Sequence, residues 1–333
     1  MEGSLSDYFD ERGKVTVVAD QTATVRAKLA PAATIVATVR DAATKAPVAN
    51  ACVYPKTGHG TFGEGPLDCA GADGRVEVNR VVPGEYQLWA EAKDGVHGAQ
   101  WVGANGGTGS RLTAKTHKAV ARETTAVSVL LDRAGSITGT VTDKATGKPV
   151  AGVCAFPRGG HRYDVLPPSK PNRTKEDGRY ALDGLGPYRW PVHFIDNVGS
   201  HGWQWSGDQP SQSAAGHVRV HVGQTSTADA LLVPGKTISG NVKTNGVQGD
   251  VGVYNAITGD IVAYYTFPDD KGDYKFTNVA AGHQLVKIVY TDHAKPPYHE
   301  YWYKNASSFP AARPILIRPG GPATGADFVV TPR

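Results

Sequence analysis

The chain has 333 residues, of which 40% are hydrophobic and 20% are charged, so it can bury ordinary hydrophobic cores and is not a disordered polymer. Its 40 glycines and 22 prolines favour short strands and tight turns over helices. The net charge of +4 comes from interspersed basic and acidic residues, which gives no electrostatic case for binding nucleic acid or an anionic membrane. No apolar run is long enough to span a bilayer, and we expect no membrane insertion.

The first segment, residues 1–32, resembles the end of a repeat whose beginning is absent. Within it, residues 14–29 match the strands that close each of three complete repeats further along the chain. We therefore interpret 1–32 as the closing strands of a partial module. Three explanations are open: the chain is a piece of a longer array, these strands pair elsewhere in the molecule, or they cover an edge of the first complete repeat that would otherwise be prone to aggregation.

Three complete repeats of about 100 residues follow the first segment. Similar octapeptides begin at positions 34 (TIVATVRD), 136 (SITGTVTD) and 237 (TISGNVKT), so the offsets are 102 and 101 residues. In each octapeptide Ile and Val fall on alternate positions, which is the period of a half-buried strand. We predict β-sandwich modules at 33–135, 136–235 and 236–333, and we refer to these ranges as the first, second and third repeats.

Turns and junctions complete the pattern of each repeat. An Asp-Gly or Lys-Gly pair, at residues 73–74, 177–178 and 271–272, supplies the positive-φ residue of a hairpin turn. The repeats follow one another almost without linkers, as at 131–135 and 233–235, which favours a semi-rigid, elongated arrangement over flexibly tethered beads. No segment keeps a helical period over three turns, so the predicted fold class is all-β.

The second repeat carries a resemblance to a known family. Residues 139–185 contain the order G-x-V-x-D, TGKPVAGV and DGRY-x-L-x-G-L, which resembles the carboxypeptidase regulatory-like module of actinobacterial secreted proteins. That module is a transthyretin-like, or prealbumin-like, β-sandwich related to the B-type repeats of bacterial surface proteins. The first repeat is also similar, whereas the third departs from the pattern at 245–248. The resemblance implies a tandem array of such sandwiches that act as stalks, spacers, adhesion units or accessory domains.

Two of the three cysteines form a candidate disulfide. Cys52 lies in a predicted strand and Cys69 in the loop that leads to the next strand. A bond between them would close a loop of about 16 residues, contribute on the order of 3 kcal/mol and suit an extracellular protein. Cys154 occupies the position equivalent to Cys52, and we expect it to be a small buried hydrophobic side chain. The redox state of the three residues is open at this point.

The sequence offers no strong metal, cofactor or catalytic site. His217 and His221 are four residues apart, but in a strand this spacing separates them by about 13 Å, too far for one ion. Residues 103–110 (GANGGTGS) lack the lysine and the helix of a phosphate loop, so a flexible surface loop is the favoured interpretation. Acidic residues at 269–273 suit a plain Asp-rich turn better than Ca²⁺. We therefore predict no metal, no cofactor and no catalytic residue.

An aromatic segment recurs in every repeat and holds the best candidates for ligand binding. Pairs of aromatic residues two positions apart would share one face of a strand, where flat rings can stack on sugars and polar neighbours can hold hydroxyl groups. The alternative is that these aromatics close the end of each sandwich, as a buried Trp does in many such folds. The predicted ligand-binding residues are Trp203, Trp205, Tyr301, Tyr303, His201 and Asp208.

Together these features predict a non-catalytic structural or binding repeat region of a secreted or cell-surface bacterial protein. Its expected partner is a protein or glycan ligand and not nucleic acid. The alternative is an enzyme with a site in a cleft between repeats. The first residues lack the basic and apolar regions of a signal peptide, which fits either an internal protein or a piece of a secreted one. We expect an extracellular or cell-surface location, and the sequence makes no prediction of the oligomeric state.

Overall fold

The computed structural model describes residues 20, 22, 31–56, 69–157, 172–196, 199, 201–243, 249–263, 265–280, 282, 284–292, 299–318 and 325–329. Regular structure in these ranges is almost entirely strand, apart from two three-residue 3-10 helices, Arg111–Thr113 and Gln212–Ala214. The predicted all-β fold class is therefore confirmed. The partial module predicted at 1–32 lies outside the described residues except for four positions. Neither of the described helices has the length and apolarity needed to cross a membrane.

The first repeat contains eight strands in two sheets. They are β1 (Ala33–Asp41), β2 (Ala51–Lys56), β3 (Arg75–Val81), β4 (Gly84–Ala92), β5 (Gln100–Gly103), β6 (Gly106–Thr108), β7 (Thr116–Ala119) and β8 (Thr124–Leu131). One sheet has the order β3-β1-β8, and the other has the order β2-β4-β5-β6 with β7 paired to β4.

The second repeat repeats this topology with shorter strands. They are β9 (Gly135–Asp143), β10 (Val153–Phe156), β11 (Arg179–Leu185), β12 (Arg189–Trp190), β13 (His193–Asp196), β14 (Gln204–Trp205), β15 (Val218–Arg219), β16 (Thr225–Thr227) and β17 (Ala230–Leu232). β9 pairs with β11, β16 and β17, while β13 lies between β10 and β14, and β12 pairs with β15.

The third repeat has the same two groups of strands. They are β18 (Lys236–Lys243), β19 (Gly249–Asn255), β20 (Asp273–Val279), β21 (Gln284–Asp292), β22 (His299–Trp302), β23 (Ile315–Ile317) and β24 (Phe328–Val329). β18 lies between β20 and β24, and β21 pairs with β19, β22 and β23.

The opening strand of each repeat lies between two other strands of its sheet. In β1 the side chains of Ile35, Ala37 and Val39 are fully buried while their neighbours are half-buried, as the alternation in the sequence predicts. β1 pairs with β8 in parallel over eight residues. A parallel pair cannot be joined by a tight turn, so the last strand of the repeat returns to lie beside the first.

The hydrophobic cores cross the junctions between repeats. One cluster joins Trp89 and Trp101 of the first repeat to residues of the second repeat that include Trp190. Another cluster joins Trp203 of the second repeat to Ile261 of the third. Each junction is therefore a packed interface and not only a covalent link.

The expectation of an elongated arrangement is wrong in one respect, because the first and third repeats touch each other. Arg111 Nη2 of the first repeat donates to the carbonyl oxygen of Thr258 at 2.7 Å and lies 3.1 Å from Asp260 Oδ1 of the third. A simple end-to-end row would keep these repeats apart, so the chain folds back on itself.

Candidate functional site

The tryptophans predicted to bind a ligand lie in the interior. Trp203 is 2% exposed and Trp205 is 3% exposed. The Trp205 ring stacks on the ring of His193 with 4.3 Å between the centroids, and Trp203 meets the same histidine edge-on at 6.1 Å. As a correction to the prediction, these two rings offer no stacking platform for a sugar, because protein atoms already cover their faces.

The tyrosines of the third repeat are partly covered. Tyr301 and Tyr303 both pack against the core cluster of the third repeat. The ring of Tyr301 lies 6.3 Å from that of Tyr290 and is tilted by 39°, and Lys304 Nζ lies 5.1 Å from the centroid of Tyr303. The alternative in which aromatics close the sandwich accounts for these contacts.

His201 and Asp208 do not lie together as neighbours of one ligand site. Asp208 is exposed, and its Oδ1 accepts the backbone N–H of Leu231 at 3.3 Å. His201 lies instead between two carboxylates of its own repeat. Its Nε2 is 2.9 Å from Asp143 Oδ2, and its Nδ1 is 2.7 Å from Asp196 Oδ2. The polar contacts of His201 are thus with the protein.

The first repeat contains the same arrangement, which the sequence analysis missed. His97 Nε2 is 2.9 Å from Asp41 Oδ2, and His97 Nδ1 is 2.5 Å from Asp94 Oδ2. Asp41 and Asp143 both end the opening strand of their repeats. We call each histidine with its two aspartates a histidine clamp. The sequence signal was the dipeptide His-Gly at 97–98 and again at 201–202, together with an aspartate at the end of each opening strand. The dipeptide alone is not specific, since it also occurs at 59–60.

The electrostatics of the two clamps are alike. Burial alone would lower the pKa of His201, but the hydrogen bonds to Asp143 and Asp196 outweigh burial and raise it. The same balance raises the pKa of His97. The hydrogen bond from His201 is the main reason that the pKa of Asp143 falls to about 2. Both histidines therefore favour the charged imidazolium form.

The backbone beside each clamp binds the next repeat. Gly98 N donates to Asp132 O at 2.9 Å, and Ala99 N donates to Gly184 O of the second repeat at 2.7 Å. At the second junction Gly202 N donates to Val233 O of its own repeat at 2.9 Å, and Trp203 N donates to Asn278 O of the third repeat at 3.0 Å. A Cβ on Gly98 would lie 2.3 Å from the backbone nitrogen of Gly186, so only glycine allows this approach.

The glycine-rich segment 103–110 is part of the first junction and not a flexible surface loop as predicted. It contains the β5–β6 hairpin. A Cβ on Gly107 would lie 2.2 Å from the hydroxyl oxygen of Tyr188, and one on Gly109 would lie 2.5 Å from Arg189 O. The glycines thus let the hairpin backbone pack closely on the second repeat.

A small cavity lies between the second and third repeats. It is lined by residues of both, including Trp205, Gln212 and Asp260, and its volume is about 10 Å³. That is room for about one water molecule, whereas sites for small-molecule ligands measure at least about 300 Å³. This cavity therefore has no space for a substrate.

The structure joins Cys52 and Cys69 by a disulfide. Cys52 lies in β2, and the two residues also form an isolated backbone bridge. Cys154, at the equivalent position in the second repeat, is 1% exposed and packs in the cluster shared with the third repeat. The disulfide thus fixes Cys69 to β2 at the edge of its sheet.

The weaker chemical signals correspond to ordinary turns. Asp269 Oδ1 accepts the backbone N–H groups of Lys271 and Asp273 at 2.9 and 2.8 Å, which is a self-contained Asp turn. Across the described part of the chain, no group of three or more His, Cys, Asp or Glu side chains is placed to hold a metal ion.

No protein family matches the chain, and no curated protein matches it by sequence. Similar solved structures include the Bacillus anthracis TIE protein, at 10% identity, TM-score 0.24, and coverage of 90% of this chain and 51% of that one. This chain thus spans about half the length of that protein.

Two pilins are also similar. A streptococcal ancillary pilin is 8% identical with a TM-score of 0.25, and 90% of this chain and 99% of the pilin are covered. A minor pilin of Streptococcus agalactiae is 12% identical with a TM-score of 0.26, and 61% and 96% are covered. At these scores the likeness supports no conclusion about function.

Proposed function

We propose that this chain is a non-catalytic structural repeat region of a secreted or cell-surface bacterial protein, in which the repeats form one stiff body. The observation that carries this proposal is the construction of the two junctions. At each of them, buried aromatic side chains and backbone hydrogen bonds join consecutive repeats. Such joints resist bending because any rotation would expose apolar surface and break buried hydrogen bonds.

The first junction contains both kinds of contact between consecutive repeats. Trp89 of the first repeat packs edge-on against Trp190 of the second, with 5.9 Å between the ring centroids. The hydroxyl of Tyr188 donates to Asp132 Oδ2 at 2.6 Å and lies 2.7 Å from the side-chain amide oxygen of Gln100. Polar and apolar contacts together hold the two repeats in one orientation.

The extracellular location is part of the proposal, and the disulfide supports it. Disulfides persist in oxidising compartments and are rare in the cytosol. The module bounds 33–135, 136–235 and 236–333 and the relationship to the carboxypeptidase regulatory-like module are also proposed, and the recurring strand order supports them. Recognition of a protein or glycan ligand stays a prediction.

The proposed stiffness is tested by ¹⁵N relaxation of the whole chain in solution. We expect all three repeats to share the rotational correlation time of a single body of 333 residues. Shorter and mutually different correlation times for the three repeats would overturn the proposal, since they would show independent motion.

The proposed location is tested on protein taken from the cells that produce it. Alkylation of free thiols before lysis, followed by mass spectrometry, reports whether Cys52 and Cys69 are bonded. We expect an intact disulfide. Alkylated Cys52 and Cys69 would contradict the extracellular assignment, because the pair would then be kept reduced in the compartment where the protein resides.

A further inference from the structure

The two histidine clamps sit where consecutive repeats meet. His97 forms a backbone bridge with Arg133, and His201 forms one with Pro234. Residues 131–135 and 233–235 are the short junction segments, so each clamp histidine touches the segment that leads into the next repeat. In the third repeat, Thr244 takes the place of the strand-end aspartate in the sequence. The clamps therefore coincide with the two junctions between complete repeats.

The geometry of each clamp favours the charged form of the histidine ring. Both ring nitrogens of His97 face carboxylate oxygens, at 2.5 and 2.9 Å. An imidazolium carries an N–H on each nitrogen and can donate to both carboxylates. A neutral imidazole has one N–H, so its other nitrogen would turn a lone pair towards a carboxylate. Loss of the proton thus replaces one charge-assisted hydrogen bond with repulsion.

Because the clamp side chains are partly buried, loss of the histidine proton has a stronger electrostatic effect. The side chain of His201 is 16% exposed, and those of Asp143 and Asp196 are 19% and 1% exposed. The first clamp is comparable, with His97 at 11% and Asp41 at 16%. Charges at this depth are screened less by solvent and salt than exposed charges are.

Other ionisable groups surround the first clamp. The junction segment contributes Asp132, whose Oδ2 accepts the hydroxyl of Tyr188, and the neighbouring Arg133. Asp41 is held by Thr44, whose backbone N–H donates to Asp41 Oδ1 at 2.6 Å and is the largest cause of the lowered pKa of that carboxyl.

The second clamp has a simpler environment. Its junction segment, 233–235, contains no ionisable side chain. Asp143 accepts the backbone N–H of Thr146 at 2.7 Å, and Asp196 accepts the backbone N–H of Gly199 at 2.7 Å. In this clamp as in the first, the partners of the strand-end aspartate lower the pKa of its carboxyl, which leaves the histidine as the group that changes charge near neutral pH.

We propose that the histidine clamps make the junctions pH-dependent: protonated His97 and His201 hold each junction segment in place against its own repeat, and deprotonation loosens the joint to the next repeat. This inference rests on the proposed role as a stiff body, whose stiffness the clamps would regulate.

The direction of the pH dependence follows from the linkage between protonation and stability. A histidine whose pKa is raised on folding contributes stability that is fully present below its ordinary pKa of about 6.5 and is lost as the pH rises through the raised value. The pKa values of Asp41, Asp94 and Asp143 are lowered, so these residues contribute above about pH 4 and lose that contribution in stronger acid. The clamps are thus closed in mildly acidic solution and open towards alkaline pH.

The first test follows the rings themselves in the unmodified chain. A ¹⁵N-detected titration resolves whether each ring nitrogen carries a proton, and the urea-unfolded chain, whose histidines have the ordinary pKa of about 6.5, serves as the reference. We expect His97 and His201 of the folded chain to stay doubly protonated at pH values where the histidines of the unfolded chain are already neutral. Titration of both rings together with those of the unfolded chain, or below them, would overturn the proposal.

The second test measures opening of the junctions. Exchange of the Ala99 and Trp203 amide protons, corrected for intrinsic base catalysis, reports breakage of their bonds to Gly184 O and Asn278 O of the next repeat. Between about pH 6 and about pH 9 we expect a severalfold rise in the opening equilibrium of the wild type. The double variant His97→Gln/His201→Gln should open equally at both pH values, and His217→Gln should behave like the wild type.

The outcomes separate this inference from the proposed function. If relaxation shows one rigid body and opening has the same pH dependence in the wild type and the double variant, the clamp proposal is wrong and the structural role stands. If the repeats move independently at every pH, the structural role itself is wrong. The ring titration needs no substitution, so it decides the matter even if the double variant does not fold.

Discussion

Tyr180, in β11, shows how one side chain links its strand to the closing segment of the second repeat. Its hydroxyl donates to the carbonyl oxygen of Ala228 at 2.6 Å, in the segment between two closing strands. The residue opposite Tyr180 on the opening strand is Gly139, where a Cβ would lie 2.0 Å from the same carbonyl oxygen. The third repeat has the same Tyr–Gly pair, whereas the first pairs Ala37 with Val76. Glycine therefore accompanies tyrosine because the ring and the carbonyl occupy the space of a side chain.

Replacing Tyr180 by Phe should cost about 1 to 2 kcal/mol of unfolding free energy, because a buried carbonyl loses its hydrogen-bond donor. Denaturant unfolding measures the loss. Tyr86→Phe is the matched control, since its hydroxyl donates to the carbonyl of Val82, a residue that is 71% exposed and where water can substitute. Equal losses in the two variants would contradict the assigned role of burial.

His193 titrates in the opposite sense to the clamp histidines. Its ring is buried against Trp205, and burial lowers its pKa to about 3. The unfolded chain binds a proton at this residue below about pH 6.5, whereas the folded chain does not. Stability from His193 is therefore present at neutral pH and is lost as the pH falls.

The variant His193→Phe should remove this acid sensitivity while keeping an aromatic ring on Trp205. Between about pH 6.5 and pH 4, the wild type should lose about 2 to 3 kcal/mol more than the variant does. Thermal unfolding at a series of pH values provides the comparison. An unchanged slope in His193→Phe would show that burial does not keep this ring neutral.

At the scale of elements, the disulfide stabilises the start of the first repeat. Cys52 and Cys69 are 17 residues apart, and closing a loop of that length restricts the unfolded chain by about 3 kcal/mol. The double variant Cys52→Ala/Cys69→Ala should lose about that amount, and reductant should then have no further effect. Cys154→Ala is the control, because its unfolding midpoint should still fall when reductant is added. A wild type insensitive to reductant would contradict the prediction.

Elements that depend on a local sequence pattern were predicted correctly. Features that depend on contacts with distant segments of the chain were not. The alternation in 34–41 predicted β1 almost to the residue, because one buried face imposes a period of two. The burial of Trp203 could not be predicted in the same way, since the residues that pack with it include Ile261 of another repeat. Likewise the His-Gly dipeptides were visible, but their meaning depends on aspartates more than 50 residues away.

At the scale of the whole molecule, the contact between the first and third repeats adds a third interface to those at the two junctions. The side chains of Arg111 and Asp260 are 6% and 14% exposed. The neighbouring Gln87 fixes this segment, since its side-chain amide donates to Arg111 O at 2.8 Å. An ion pair at this depth differs from a surface pair, because removing one partner leaves a buried charge without compensation.

Replacing Arg111 by Ala should therefore remove the contact between the first and third repeats. We expect a loss of about 3 to 5 kcal/mol for the contact and an unchanged radius of gyration by small-angle X-ray scattering, because the two stiff junctions stay intact. Arg75→Ala is the control, since Arg75 and Glu77 form a pair whose side chains are 50% and 41% exposed, and it should cost much less stability. A larger radius of gyration for Arg111→Ala would contradict the prediction, since it would show that the junctions alone do not set the orientation of the repeats.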